Sequence, residues 1–373
     1  MKFTIQKDLL LDALNKVSKA ISTKNLIPVL AGVKFELKKK KLTLTASDND
    51  ITIQTHININ DESTVEKEGN IIIQGKYILD IVKKLPDKFI NIEVIDELKI
   101  LIYTENSEFN LNGISESEYP NIGLEESKKK IKLKSSTFKT LVNQTAFAAS
   151  NEETKPILTG INFNIVGDIL ECNSTDSYRL ARKVITLDKS SEENYNIVIP
   201  SHNVVEFSRI LSDDDSDVEL HIFNNKILFI NNNLKFQSRL INGSYPNTAN
   251  LLPDDVMLIV NVDLAKFYSV IDRVSILTSD KDKNIVTLET KDNNLILRSS
   301  SAEIGRVEEK MEITKNSTAD IKISFSSKYM MEALKTISSE TVDINFVGEI
   351  KPILIKTPAD EGLTQLVLPI RTY

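Results

Sequence analysis

Residues Asn173 to Arg182, NSTDSYRLAR, gather Ser174, Thr175, Asp176, Ser177, Tyr178 and two arginines between apolar, strand-like runs. Such a cluster suits nucleophilic catalysis, in which a general base within hydrogen-bond reach activates a hydroxyl. The stretch itself holds no histidine or lysine, so folding would have to deliver the base. A second stretch, IIIQGKYIL, sets Gly75-Lys76 between a strand and a helix, as a phosphate-binding loop does. Asn70 occupies the place of that loop's first glycine, however, and Tyr77 the place of its magnesium-binding hydroxyl. A third, SDDDSDVELHIFNN, spaces Asp213, Asp215 and Asp217 like a calcium loop. Val218 stands at its glycine position and Asn224 at its bidentate glutamate, so it reads as a solvated acidic turn. His56, His202 and His221 have no zinc-binding spacing. No metal, cofactor or enzymatic activity is expected.

The elements that carry these stretches repeat. FTIQKDLLLDALNKVSKAIS, residues Phe3 to Ser22, alternates like a strand and then spaces Leu9, Leu10, Ala13, Leu14, Val17 and Ile21 like a helix. IKLKSSTFKTLVNQTAFAAS aligns with it 128 positions later, and VNVDLAKFYSVIDRVSIL follows 129 positions after that, placing Phe267 under Phe138. Each copy has a second strand-turn-helix: NIIIQGKYILDIVKKL, YNIVIPSHNVVEFSRIL and ADIKISFSSKYMMEALKTI. Short alternating strands lie between. The expected fold is α+β: three tandem domains, each of about six to eight strands and two helices, over residues 1–127, 128–253 and 254–373.

The chain has 373 residues, of which 41% are apolar and 27% charged, enough for two or three cores. Its one cysteine, Cys172, lies in an apolar run and reads as a buried thiol. No stretch approaches the roughly 20 apolar residues that span a bilayer. With no signal peptide recognised, the expected location is the cytoplasm. A net charge of −7 is unlike a basic nucleic-acid binder. The six helical segments nevertheless sum to +4, which leaves −11 for the remainder. A mildly positive lining in an acidic body would attract phosphate without making the whole surface adhesive. Lysine placed on helix faces by propensity alone gives the same pattern, and composition does not separate the two. With 6% aromatic residues and no tryptophan, the chain is poor in single-strand stacking platforms.

TDSYRLA, GSYPNTANLLP, the ending LVLPIRTY and the threefold repeat together resemble the bacterial DNA polymerase III beta subunit family, the replication sliding clamps, over the whole chain. The resemblance implies a head-to-tail homodimeric ring with helices lining the hole and sheets outside. It implies a non-catalytic processivity factor that encircles duplex DNA without sequence specificity. Implied partners are a second copy of the chain, double-stranded DNA, the DNA polymerase III alpha subunit, an ATP-driven clamp loader and other clamp-binding-motif proteins, with no membrane.

Carried over by position, the family's partner-peptide pocket comprises Leu158, Thr175, Ser177, Tyr178, Arg179, Leu180, Pro246 and Leu251. Tyr329, Ile350, Pro352, Val367, Leu368, Pro369, Ile370 and Arg371 complete it. Taken alone, the apolar members read as core; with the resemblance they read as a cleft, with Arg179 and Arg371 bonding peptide at its rim. DNA-facing cations would be Lys24, Lys76, Lys83, Lys84, Lys139, Lys155, Arg209, Arg273 and Lys335. At the dimer edge, Phe109 and Leu111 would pack on Ile276 and Leu277 of the other copy, with Glu308 and Glu309 seeking basic partners there. Ser177 stands where many clamps have glycine, and Asn250 where some have arginine. Glu152, Pro156 and Ile157 replace a glutamine and two tyrosines of some members.

Overall fold

The computed structural model describes residues 1–21, 27–59, 63–253, 255–279, 281 and 283–371. The first third carries β1 (Lys2–Gln6), α1 (Lys7–Val17), β2 (Gly32–Lys38), β3 (Lys41–Ser47), β4 (Ile51–Asn58) and β5 (Thr64–Lys67). It continues with β6 (Gly69–Gln74), α2 (Gly75–Lys84), β7 (Phe89–Ile95), β8 (Lys99–Tyr103) and β9 (Glu108–Asn112). The second carries β10 (Ile131–Lys134), α3 (Ser135–Thr145), β11 (Gly160–Val166), β12 (Ile169–Thr175) and β13 (Arg179–Thr186). After these come β14 (Tyr195–Pro200), α4 (Ser201–Ile210), β15 (Asp217–Ile222), β16 (Lys226–Asn231) and β17 (Leu234–Arg239). The last third holds β18 (Leu258–Asp263), α5 (Leu264–Val274), β19 (Ile285–Lys291), β20 (Asn294–Ser301), β21 (Gly305–Glu312) and β22 (Thr314–Lys315). It ends with β23 (Lys322–Ser326), α6 (Ser327–Leu334), β24 (Thr341–Phe346), β25 (Ile353–Lys356) and β26 (Leu363–Val367).

Each repeat opens as its periodicity predicts, with a strand running straight into a helix. Alternation buries Phe3 and Ile5 on β1, and α1 continues with buried Leu10, Ala13, Leu14 and Val17. The third copy does the same with Val260, Val262, Phe267 and Ile271, its helix capped by Asp263 Oδ1 accepting the Lys266 N–H at 2.8 Å. Burying side chains of this size contributes roughly 1.5–3 kcal/mol each. The described residues show nine, eight and nine strands in the three thirds. The excess over expectation comes from short edge strands: β5 has four residues and β22 only two, too few for alternation to register.

The chain divides into two compact units, Met1–Ser136 with Glu206–Leu240 and Thr137–Val205 with Ile241–Tyr373. This division cuts across the boundaries expected near residues 127 and 253 because strands of neighbouring repeats pair. The first unit contains sheets β5-β1-β7-β8-β9 and β10-β15-β16-β17-β4-β3-β2-β6. There β17 joins β4 antiparallel, Phe236 opposite Ile53, and Phe236 packs 5.2 Å from the Phe207 ring. The second unit contains β14-β11-β12-β13-β26-β25-β24-β18-β22 and β21-β20-β19-β23. Here β13 joins β26, with Leu180 opposite Leu366. Just before β26, the Val184 N–H donates to the Gly362 carbonyl at 2.9 Å. A Cβ on Gly362 would meet the Val184 carbonyl oxygen at 2.2 Å, so only glycine allows so close an approach.

Gly75 has a packing role too. A Cβ there would lie 2.2 Å from Ile21 Cδ1, so a larger residue at the start of α2 would have to displace the tip of that side chain.

Candidate functional site

The NSTDSYRLAR stretch forms the end of β12, a tight turn and the start of β13. Asp176 Oδ1 accepts the N–H groups of Tyr178 at 2.9 Å and Arg179 at 3.0 Å, closing the turn. Thr175 Oγ1 donates to the Arg179 carbonyl at 2.5 Å and accepts the Ser177 N–H at 3.1 Å. Ser177 sits at φ +78°, the left-handed region, which explains why glycine suits this position. The fully buried Ser174 donates to the Thr145 carbonyl. Thr175 also gives its N–H to Tyr245 Oη at 3.0 Å, and burial pushes that phenol up. Ser174 and Thr175 thus direct their hydroxyl protons to backbone carbonyls, not to a base, and the cluster is a structural turn.

Arg179 is only 7% exposed. Its Nε donates to Asp176 Oδ2 at 3.0 Å, and Nη1 donates to Glu332 on α6. Its guanidinium carbon lies 4.5 Å from the Tyr329 ring centre and 5.3 Å from that of Phe147. Nε and Nη1 of Arg179 are thus given to carboxylates of the same chain, and the residue acts as a strut between β13 and α6. Tyr178, 61% exposed, stacks on Tyr329 with ring centres 6.4 Å apart. Burial first, and the Asp176 charge second, push the Tyr329 phenol up.

Beside this strut is a cleft of about 580 Å³. Tyr178, Tyr329, Leu368, Pro369, Ile370 and Arg371 line it, as expected from sequence, together with Lys283, Asn284, Ser326 and Lys328, which the sequence reading missed. The tail is fixed on both sides: the Leu368 N–H donates to the Tyr178 carbonyl at 2.9 Å, and the Ile370 N–H to the Ser324 carbonyl at 2.7 Å. Ser326 and Lys328 flank Tyr329 by at most three positions, a signal that the sequence did contain.

The other expected pocket residues lie outside that lining. Leu158 and Thr175 are buried, Ser177, Pro246, Leu251 and Ile350 are exposed, and Pro352 is half-buried. Leu180 packs with Leu354 and Leu366, and Leu252 covers them, a small apolar group that includes three residues absent from the expected set. Val367 is corrected. Because β26 alternates, Leu366 joins Leu180 while Val367 turns into the core with Ile353, Phe325 and Phe346.

Of the expected DNA-facing cations, Lys24 lies outside the described residues. Lys76, Lys83, Lys84, Lys155 and Lys335 are exposed, and Lys139 is half-buried. Lys335 Nζ stands 5.7 Å from the Tyr268 ring centre. Arg209 bonds Glu206 at 2.7 Å on the same helix. Arg273 Nε and Nη2 clasp Glu309 at 2.7 and 2.6 Å, which offsets its charge within the chain. Those bonds also hold the Glu309 carboxyl below its usual range.

Glu308 bonds Arg298 Nε at 2.6 Å, so within one copy both glutamates expected at the dimer edge have arginine partners. Of the expected dimer-edge apolar residues, Ile276 is 74% exposed, Phe109 is also exposed, and Leu111 and Leu277 are half-buried. Phe109 lies on β9, the last strand of its sheet, and β21 is likewise an end strand of its own.

Among the described residues, no group of three or more His, Cys, Asp or Glu could hold a metal. The acidic stretch orders its own turn: Asp215 accepts from Ser136, Asp214 from Ser216 at 2.7 Å and Asp217 from Lys134 at 2.7 Å. Cys172 is buried, and burial drives its thiol pKa up. No described helix is long and apolar enough to cross a membrane.

Comparison with known proteins matches nearly the whole chain in three consecutive parts. The DNA polymerase III beta subunit N-terminal domain matches residues 1–123, its central domain 132–247 and its C-terminal domain 249–371. The beta sliding clamp of Staphylococcus aureus is 38% identical over 377 residues, covering 100% of both chains, and that of Staphylococcus epidermidis matches equally. The solved DNA polymerase sliding clamp from Bacillus subtilis superposes with a TM-score of 0.96 at 38% identity, again over 100% of both chains. The DNA polymerase III beta chain from Streptococcus pneumoniae does so with a TM-score of 0.94 at 33% identity and the same coverage.

Proposed function

Since this chain belongs to the DNA polymerase III beta subunit family, the beta sliding clamps, we propose that two copies close head to tail into a ring around duplex DNA. The chain is a non-catalytic processivity factor of DNA replication that works with DNA and DNA polymerase. One observation carries the ring. Within each unit, repeats are joined by strand pairing, while β9 and β21 are among the end strands of the four sheets. An antiparallel β9–β21 contact between copies would use both edges, uniting a five-stranded and a four-stranded sheet. The exposed Phe109 and Ile276, with Leu111 and Leu277, supply apolar surface for that contact. Made twice, such a heterologous contact closes a two-chain ring.

The three domains would span residues 1–127, 128–253 and 254–373, and the ring would act in the bacterial cytoplasm. Lys76, Lys83, Lys84, Lys139, Lys155 and Lys335, with Lys24, would face the duplex and touch phosphate without reading sequence. With Arg209 and Arg273 paired internally, this lining is weakly positive, which suits sliding. The cleft of the second unit would dock extended peptides from the polymerase alpha subunit, the clamp loader and other partners. Leu- or Phe-type anchors would enter between Tyr178, Tyr329 and Leu368. Retention on DNA tests the topology: after loading, the protein should stay on closed circles and run off once the circle is cut. Equal retention on linear DNA with free ends would overturn the ring.

A further inference from the structure

We infer that the two copies join in the register of the chain's own internal joints, and that this register seats Ile304 of one copy on Tyr77 of the other. The inference rests on the ring reading; it adds the strand register and a contact that lies outside the two strands.

The internal joints are one construction used twice. Directly opposite residues run Ile131, Leu220, Phe229, Phe236 across one sheet and Val260, Ile344, Ile355, Gln365 across another. Ile131 and Val260 stand 129 positions apart, the spacing of the repeat. Phe236 then meets Ile53, and Gln365 meets Ala181. Ile53 and Ala181 are 128 positions apart, so both joints have the same register.

The third series stops at an end strand. Phe3, the counterpart of Ile131, leads through Ile92 and Ile102 to Phe109 on β9. The facing strand is matched through two serines. Ser174 lies opposite Ala181 and donates to the Thr145 carbonyl. Ser299 lies opposite Val307 and donates to the Val274 carbonyl at 2.6 Å, on a helix 129 positions further on. Val307 is therefore the counterpart of Ala181, and Phe109 that of Gln365. The shared register sets Phe109 of one copy opposite Val307 of the other. On the opposite face of the ladder Glu108 would stand opposite Glu308, which Arg298 holds, with Arg306 and Lys310 one diagonal step away.

The same equivalence reaches past the strands. In the second unit the turn between β12 and β13 lays Tyr178 on Tyr329, the third residue of α6, and Tyr329 is half-buried. Tyr77 is the third residue of α2 and follows Gly-Lys as Tyr329 follows Ser-Lys. Counted back from β21, Ile304 holds the place of Tyr178. Within one chain Tyr77 is 53% exposed and Ile304 71% exposed. A second copy in this register covers the ring with the isoleucine, so the patch is continuous with the β9–β21 contact.

Disulfide trapping of the full chain reads the register. The variant Phe109→Cys, Val307→Cys should give covalent dimers on a non-reducing gel after oxidation with copper-phenanthroline. Phe109→Cys with Met311→Cys, on the same face but four positions out of register, should not. The unsubstituted chain, with buried Cys172 alone, is the blank. Separately, Tyr77→Ala should raise the dimer dissociation constant about fivefold, and Tyr77→Phe should leave it nearly unchanged. Trapping through Met311 in preference to Val307, or none in a protein of dimer mass, would overturn the register. An unaltered dissociation constant in Tyr77→Ala would overturn the Tyr77–Ile304 contact. Because Tyr77 is exposed, that measurement decides even where a cysteine pair fails to fold. A chain that stays single at every concentration would overturn the ring reading itself.

Discussion

At the β13–β26 joint, Leu180 faces Leu366, Gly362 lets two backbones approach, and Lys183, 7% exposed, reaches Asp360. At the β9 and β21 edges the ladders stop, with Phe109 exposed on β9 and glutamates along β21 bound to arginines of the same chain. β13 and β26 pair inside a nine-stranded sheet whereas β9 and β21 end theirs, and the joint buries its charge while the edges keep theirs in water. Self-paired charges on an edge discourage indiscriminate strand addition, while scattered apolar residues still reward one matching partner. The joints, by contrast, are part of the folded core.

The difference breaks most visibly at the edges. Ile276→Asp combined with Phe109→Asp should weaken association by about 3 kcal/mol or more, leaving single chains at micromolar concentration with an unchanged melting temperature. Analytical ultracentrifugation beside a thermal melt would show it. At the joint the pattern reverses. Lys183→Met leaves Asp360, which is partly exposed, with the Gln144 amide as its side-chain donor and should cost roughly 1–2 kcal/mol of folding stability, read from urea denaturation. Leu368→Ala leaves both regions alone and should weaken partner-peptide binding by about 1–2 kcal/mol, with DNA retention unchanged.

Acid should act on the first unit's joint. The segment before β10 is clasped there by Glu126–Lys235, by His221 Nδ1 accepting the Ser127 N–H at 3.0 Å, and by Lys130–Glu219. Burial pulls the Glu219 carboxyl up, but the hydrogen bonds from Lys130 and Lys132 outweigh it and hold the group at about 2. A depressed carboxylate stabilises the fold above its unfolded value near 4.3 and loses that contribution as pH falls towards 2. Glu219→Gln should flatten the acid limb of stability over that window, by about 1 kcal/mol. The smallest effect is expected at Ser177→Gly, which relieves the left-handed backbone and should stabilise by about 0.5–1 kcal/mol without altering association.

Much of this architecture was legible in the sequence because the strand-to-helix openings of the repeats carry clear period changes, as at Phe3–Val17 and Leu258–Val274. What tertiary pairing decides was not legible. Arg179 looked like a ligand group because Glu332 lies 153 positions away and only folding brings it in. Val367 and Leu366 are neighbours in sequence, and which of them faces Leu180 depends on the β13–β26 register. Lys283 joined the cleft because the tail after β26 runs beside β23 and the turn at Asn284 bonds Ser327, a proximity no local pattern encodes.

If β9 and β21 are two halves of one interface, the solution mass of the protein is twice the 42.0 kDa chain mass and falls to that of one chain when Ile276 and Phe109 are both made Asp. A wild-type protein that remains at 42.0 kDa at micromolar concentration, or a dimer that the double variant leaves intact, would contradict it.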